Sequence, residues 1–167
     1  MNLFVTDPLP GISAIDLDDR RVVKMVLETA QLLSTAVHLG MMEKKSDDDN
    51  GYVYRATHKH HPVTKWVVAD PHHIGWTYLY FVAILNEFEI RFKKRHASKY
   101  IFYRLSPPDT SKCRPTEFCN CTPFPELPPF AAYRQTLRHK WHEDKFSPTW
   151  RVRGEPSWRY PTSPSAK

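Results

Sequence analysis

The residues best suited to chemistry lie in "VVKMVLETAQLLSTA" (22–36), where Lys24, Glu28, Gln31 and Thr35 interrupt an otherwise apolar run. At about 100° per residue, Arg21, Lys24, Glu28, Gln31, Thr35 and His38 share one stripe of a helix roughly 100° wide. Lys24 and Glu28 then stand one turn apart. Two readings are open. On a solvated face an i, i+4 Lys–Glu pair contributes only a few tenths of a kcal/mol. On the floor of a cleft, roofed by the loop "THKHHP" (57–62), the same pair is a carboxylate and an amine placed for acid/base or amine chemistry.

Three further clusters carry chemical potential. In "YRATHKHHP" (54–62), followed by His72 and His73, five of the nine histidines fall within sixteen residues. His58 and His61 suit a phosphate, a base edge or a proton shuttle near neutral pH, or equally a capped loop on the surface. Without an accompanying carboxylate pair they are weak metal ligands. "CRPTEFCNC" spaces Cys113, Cys119 and Cys121 as C-x5-C-x-C, without the C-x-x-C knuckle of strong zinc sites. Reduced, unligated thiols are the preferred reading, with a Cys3His zinc site the alternative, so no metal and no cofactor are expected. "PTWRVRGEPSWRYP" (148–161) interleaves Trp150, Arg151, Arg153, Trp158, Arg159 and Tyr160. Alternating charge and flat rings suit phosphate neutralisation with stacking on unpaired bases. The same tryptophans could instead anchor a tail onto the core, with the arginines facing out.

The elements that position these groups follow from periodicity and breakers. Leu3–Val5 reads as a short N-terminal strand stopped by a Pro-rich turn. "IDLDDRR" supplies acids for a helix N-terminus and Gly40 a C-terminal stop, which gives a helix over 19–39. Residues 43–51 have loop composition with a solvated acid run. Pro62 opens a short helix over 62–69. Ile74, Tyr78, Phe81, Leu85, Phe88 and Phe92 recur every three or four residues and make the core face of a long helix over 71–95, whose last turn holds Lys93, Lys94 and Arg95. Residues 105–129 contain seven prolines and three cysteines and read as an irregular surface segment. A last helix spans 130–146, followed by an extended tail. The chain is thus expected to be mainly α, a compact single-domain helical bundle over 1–160, with 161–167 disordered.

Composition bounds the partners. The chain has 167 residues and a formal charge of +6, with 5 Lys/Arg against 9 Asp/Glu in residues 1–50 and 19 against 9 in the rest. A basic balance points to an anionic partner, DNA or a nucleotide first. No run is long enough for a membrane span, and the N-terminus has no signal-peptide pattern, so a soluble cytoplasmic protein is expected. The oligomeric state is not legible.

"MNLFVTD", "VVKMVLETAQLLSTA", "YRATHKHHP" and the Trp/Arg-rich tail together resemble small phage proteins labelled pyrimidine dimer DNA glycosylases. The likeness covers most of residues 1–96 and 130–159, and a fainter one extends to the endonuclease V type of that enzyme. The resemblance implies a mostly helical single domain in which Glu28 matches a catalytic Glu, His61-Pro62 an His-Pro element, and residues 148–154 a tail that meets DNA. It also implies a glycosylase that exposes or flips a nucleotide, with Glu28 stabilising or protonating the sugar while an amine attacks C1′. In the endonuclease V type that amine is the α-amino group freed by removal of the initiator Met. Here residue 2 is Asn, bulky for such removal, and Lys24 is the substitute. The phage proteins carry His-x-x-Lys-His before Val-Val-Lys-Met, whereas this chain has Leu17-Asp18-Asp19-Arg20-Arg21.

The leading expectation is therefore a DNA glycosylase, with or without AP-lyase activity, using Glu28, Lys24, His58 and His61. Arg21, Lys93, Lys94, Arg95, Trp150, Arg151, Arg153 and Trp158 would contact the nucleic acid. The alternatives are a non-catalytic phage accessory or anti-defence protein that binds DNA or nucleotides, and a nucleotide N-glycosidase or transferase acting on a small phosphorylated substrate.

Overall fold

The computed structural model describes residues 2–45, 52–109, 111 and 113–160. The expected disordered tail (161–167) and most of the acidic loop (46–51) lie outside these residues. Six helices occur among the described residues: α1 (Pro10–Ile15), α2 (Asp19–His38), α3 (Pro62–Ala69), α4 (Pro71–Phe92), α5 (Lys99–Arg104) and α6 (Pro129–Glu143). Proline opens α1, α3, α4 and α6, where its missing N–H is an orphan in any case and its fixed φ suits the first turn. Asp70 both ends α3 and caps α4, its Oδ1 accepting from the His72 N–H at 2.7 Å. Gly40, at φ 70°, closes α2, and the amides of Gly40 and Met41 turn back to the carbonyls of Val37 and Ala36.

α4 packs against α1, α2 and α3, and α2 also contacts α3 and α5. Val22, Met25, Val26, Ala30, Leu32, Leu33 and Ala36 of α2 are fully buried, as are Tyr80, Phe81 and Ile84 of α4. The two long helices form the core that the rest covers. Helices α4 and α6 end short of the sequence expectation: α4 stops at Phe92 with Lys93 left-handed at φ 55°, and α6 stops at Glu143. The Lys93–Arg95 run is thus an exposed turn after α4, not its last helical turn.

The N-terminal strand is a correction. Leu3, Phe4 and Val5 are buried but pair as a strand with no other described segment. Side chains take the backbone bonds a sheet would have taken. The Asn2 N–H donates to Glu28, the Thr6 N–H donates to Ser13 Oγ, and the Thr6 carbonyl accepts from Arg134 Nε of α6. An apolar triplet fits this bracketed, extended segment as well as it fits a strand.

The turn between α1 and α2 ties these parts together. Asp16, Asp18 and Asp19, which the sequence suggested as helix-start acids, are all buried. Asp16 Oδ2 accepts from Thr6 Oγ1 at 2.7 Å and from the Trp158 indole at 3.0 Å, and Asp18 Oδ1 accepts from Trp141 Nε1 at 2.8 Å. Arg91 of α4, its side chain wholly buried, lies 3.3 Å from Asp19 and 3.0 Å from Glu87, and it donates to the carbonyls of Leu17 and Ile15. Thr149 completes the arrangement, its carbonyl accepting from the Asp19 N–H at 2.8 Å. The segment after α6 is therefore docked rather than loose.

Burial raises the Asp16 pKa above the usual carboxylate value, and the Thr6 and Trp158 hydrogen bonds only partly oppose it. A raised folded-state pKa means that folding takes up a proton, so this group's contribution is complete below about pH 4 and is lost as pH rises through the folded value. Asp16→Asn keeps an oxygen acceptor and removes the charge. Its denaturation midpoint relative to wild type should therefore improve between pH 4 and pH 7. A variant that loses ground over that interval would show that the ionised form is the stabilising one.

Candidate active site

The polar stripe of α2 divides in two. Along its C-terminal half, the chain at 54–57 lies against the helix as a hydrogen-bonded cover. Ser34 Oγ accepts from the Tyr54 N–H at 3.2 Å, Thr35 Oγ1 accepts from the Thr57 N–H at 3.2 Å, and His38 Nε2 donates to the Tyr54 carbonyl at 3.0 Å. The hydroxyls of Ser34 and Thr35 also donate to the carbonyls one turn back, so each bridges helix and cover. This half of the stripe is a seam.

The N-terminal half borders a cleft of about 290 Å³. Its floor is Arg20, Arg21, Lys24 and Met25 of α2, and its opposite walls are Asn2 and Phe4 of the N-terminal segment and Lys140, Glu143 and Asp144 at the end of α6. The expected roof, the loop at 57–62, does not line this cavity; it meets the stripe higher up, at Thr35 and next to Glu28. Glu28 does not itself line the cleft; it stands behind two residues that do, Asn2 and Lys24. Only 9% of it is exposed, its Oε2 accepts from the Asn2 backbone N–H at 2.5 Å, and its Oε1 lies 3.3 Å from Lys24 Nζ. One half-enclosed carboxylate thus grips two nitrogens, one on each oxygen. Lys24 itself is largely exposed and can swing.

His61 caps α3, its Nδ1 accepting from the Val63 N–H at 3.2 Å, which leaves the ring proton on Nε2. Burial lowers its pKa, the neighbouring His58 adds to that, and the Glu28 charge works against both. His61 is therefore a neutral ring at neutral pH within the field of Glu28. His58 is exposed, at a left-handed φ of 50°, with its ring centroid 6.4 Å from that of His61.

The expected nucleic-acid contacts separate into three groups. Arg21 faces inward, its Nη1 2.9 Å from both Asp18 and Asp144. Trp150 is 6% exposed, enclosed by Trp141 and Arg159, and its indole donates to the Asp16 carbonyl. Trp158 stacks on Trp141 at 5.5 Å. These two rings anchor the tail, and Trp150 presents no face to a base. Arg153 is drawn into a two-pronged contact with Glu87, at 2.6 and 3.1 Å. Lys93, Lys94, Arg95 and Arg151 remain exposed, and Arg151 packs over the Phe92 ring at 4.6 Å.

The exposed basic groups stand beside α2. Arg151 reaches Asp19, and the His96 ring, just after Lys93–Arg95, lies against the Val23 backbone. Asp19, Val23 and Leu27 form the helix line next to Arg20, Lys24 and Glu28. Basic groups therefore stand on both sides of the exposed α2 ridge: Arg151 and the post-α4 turn on one, Arg20 and Lys140 on the other. Sequence reasoning missed Asn2, Arg20, Lys140 and Asp144 as site residues. Lys140 and Asp144 lie over a hundred positions from Lys24, and no local signal connects them. Among the described residues, no three His, Cys, Asp or Glu side chains converge as a metal-holding group, and no helix is long and apolar enough to cross a membrane.

Fold and site together define a helical protein whose central helix carries a buried carboxylate paired with Lys24, an amine that lines a cleft holding Arg20, Arg21 and Lys140. A family model described as pyrimidine dimer DNA glycosylase matches residues 1–100, and the chain belongs to that family. No curated protein and no solved structure matches it. The matched span includes Asn2, Lys24, Glu28, His58 and His61, whereas α6 and the docked tail lie beyond it.

The two cations of the stripe should behave differently when removed. Arg21→Met leaves the buried Asp18 carboxylate without its cation, with the Trp141 indole as its remaining side-chain donor, and should cost about 3 kcal/mol of stability in urea denaturation. Lys24→Met, at an exposed position, should stay within about 0.5 kcal/mol of wild type. Equal losses would contradict the division of the stripe into a clamp and an open site.

Proposed function

We propose that the chain is a DNA glycosylase acting on a damaged or modified base, with Glu28 as its acid/base carboxylate and a neighbouring amine as its nucleophile. The observation that carries this is the contact of the Glu28 carboxylate with two nitrogens, Asn2 N on one oxygen and Lys24 Nζ on the other. The family match supports DNA as the partner and pyrimidine lesions as the first substrate to try.

Two amines fit the geometry. In a chain beginning at Asn2 the nitrogen now bonded to Glu28 would be a primary α-amine, already placed on the carboxylate that would accept its proton. Lys24 Nζ is the amine available whatever the first residue. Either one attacks C1′ of a flipped nucleotide as the base–C1′ bond breaks. The departing base takes up a proton, the amine releases one to Glu28, and Glu28 returns it to the ring oxygen as the sugar opens to an imine. Neutral His61, held by its cap with the proton on Nε2, fits a positioning or hydrogen-bond-donating role beside Glu28. Lys93, Lys94, Arg95, Arg151, Arg20 and Lys140 supply positive charge for phosphates on both sides of the ridge.

The docked tail favours one rival reading. With Trp150, Trp158 and Arg153 engaged inside the protein, the cleft could serve a nucleotide N-glycosidase that needs no duplex. Salt separates the two, since duplex binding through several phosphates should weaken at least about tenfold between 50 and 200 mM salt. Affinity insensitive to salt would sink the duplex reading. On abasic-site DNA, borohydride should trap a covalent adduct whose peptide map places it at residue 24 or at the N-terminal residue. Loss of trapping in Lys24→Arg would name Lys24, and retention would name the N-terminus. Absence of any adduct from wild type would remove the amine step and leave a monofunctional glycosylase.

A further inference from the structure

The segment between α5 and α6 carries a second reactive centre, unrelated to the cleft's chemistry. Cys119 and Cys121 are half-buried, and their sulfurs are 3.2 Å apart, inside the sum of two sulfur radii. Their approach is built rather than incidental. Asn120, between them, is locked inward, its Nδ2 donating to the Phe124 and Leu127 carbonyls at 2.7 and 3.0 Å and its Oδ1 accepting from Thr122 N and Oγ1 at 3.1 and 2.7 Å. On the other side Phe118 is wedged among Trp66, Trp76 and Phe130. The chain is thus gripped before and between the two cysteines. Beneath the pair, Tyr133 of α6 is 3% exposed, and its buried hydroxyl has no well-formed hydrogen bond.

We propose that Cys119 and Cys121 form a thiol–disulfide exchange site whose substrate is a low-molecular-weight disulfide, with Cys121 as the attacking sulfur and Cys119 as the resolving one. The Cys121 thiolate attacks one sulfur of the small disulfide; the new S–S bond forms as the old one breaks, and one small thiolate leaves. Cys119, losing its proton to solvent, then attacks Cys121 Sγ, and the second small thiolate departs. Two electrons pass from the protein dithiol to the small disulfide, and an intraloop disulfide closes. The hydrogen bond shared with Cys119 holds the Cys121 thiol down at about 7, and the Tyr133 hydroxyl favours the thiolate too, whereas Cys119 is pushed up by that same contact and by burial. This asymmetry makes Cys121 the nucleophile near neutral pH. Cys113 takes no part: it is buried, and its thiol rests against the Asp109 carbonyl at 3.5 Å. Tyr133 also meets Phe4 edge-on at 6.5 Å, so the pair sits one side chain away from the wall of the cleft.

The test uses the full chain with oxidised glutathione as the probe, followed by alkylation and peptide mapping. Wild type should lose two of its three free thiols and yield a Cys119–Cys121 disulfide with Cys113 still alkylatable. Cys119→Ser should accumulate a glutathione adduct on Cys121. Cys121→Ser should load glutathione at least about tenfold more slowly near pH 7, because the thiol held down at about 7 is gone. In wild type, iodoacetamide should label Cys121 with a half-maximal rate near pH 7, before the other two. The proposal is overturned if the three cysteines alkylate alike, if glutathione loads Cys113 first, or if Cys119→Ser gathers no adduct on Cys121.

Discussion

The structure depends on the burial of an acidic turn. Asp16, Asp18 and Asp19 enter the interior within four residues, and charges placed there are costly unless each is answered by a donor. The donors come from elements far apart in the chain: Thr6, Arg21, Arg91, Trp141, Thr149 and Trp158. Satisfying the turn therefore fixes where the N-terminal segment, α4, α6 and the tail stand relative to the first turn of α2. The cleft is a by-product of that arrangement. Once Trp141 is tied to Asp18 and Arg21 to Asp144, the end of α6 stands opposite Lys24, and the space between them is the cleft.

This constraint also accounts for how the polar stripe of α2 is used. Arg21 and Glu28, seven residues apart, fall on nearly the same line, whereas Lys24 is rotated from Arg21 by about 60°. Arg21 is consumed by the acidic turn and α6. Glu28, two turns on, is beyond their reach and meets the N-terminal backbone instead. Thr35 and His38 are beyond the N-terminal segment as well, and the chain at 54–57 covers them. One line of side chains thus becomes a clamp, a carboxylate bonded to the N-terminal backbone and a seam, according to which element lies opposite each turn.

Much of this was legible in the sequence, where the signal was local. The apolar periodicity of α4, the prolines opening α3 and α4, the Gly40 stop and the alignment of Lys24 with Glu28 all follow from neighbours within about two turns. The six-residue helices α1 and α5 escaped because so short a segment shows no period. The tail was left with two readings for a different reason. Interleaved Trp and Arg have the same composition whether the rings stack on bases or the indole N–H groups find buried carboxylates, and only the placement of Asp16 and Asp18 decides between them. Asn2 was hidden because its contribution to the site is a backbone nitrogen, which no side-chain pattern reveals.

The central claim is that the Glu28 carboxylate, with its two nitrogens, is the reacting centre of a base-excision site. The most direct measurement is base release and strand scission from a panel of duplexes bearing pyrimidine dimers, other damaged bases and modified bases, run with wild type and Glu28→Gln. The account predicts that wild type processes at least one class of duplex and that Glu28→Gln, folded to the same thermal midpoint within a few degrees, is slower by about 100-fold or more. A Glu28→Gln protein as active as wild type, or a wild type that leaves every duplex intact, would contradict it.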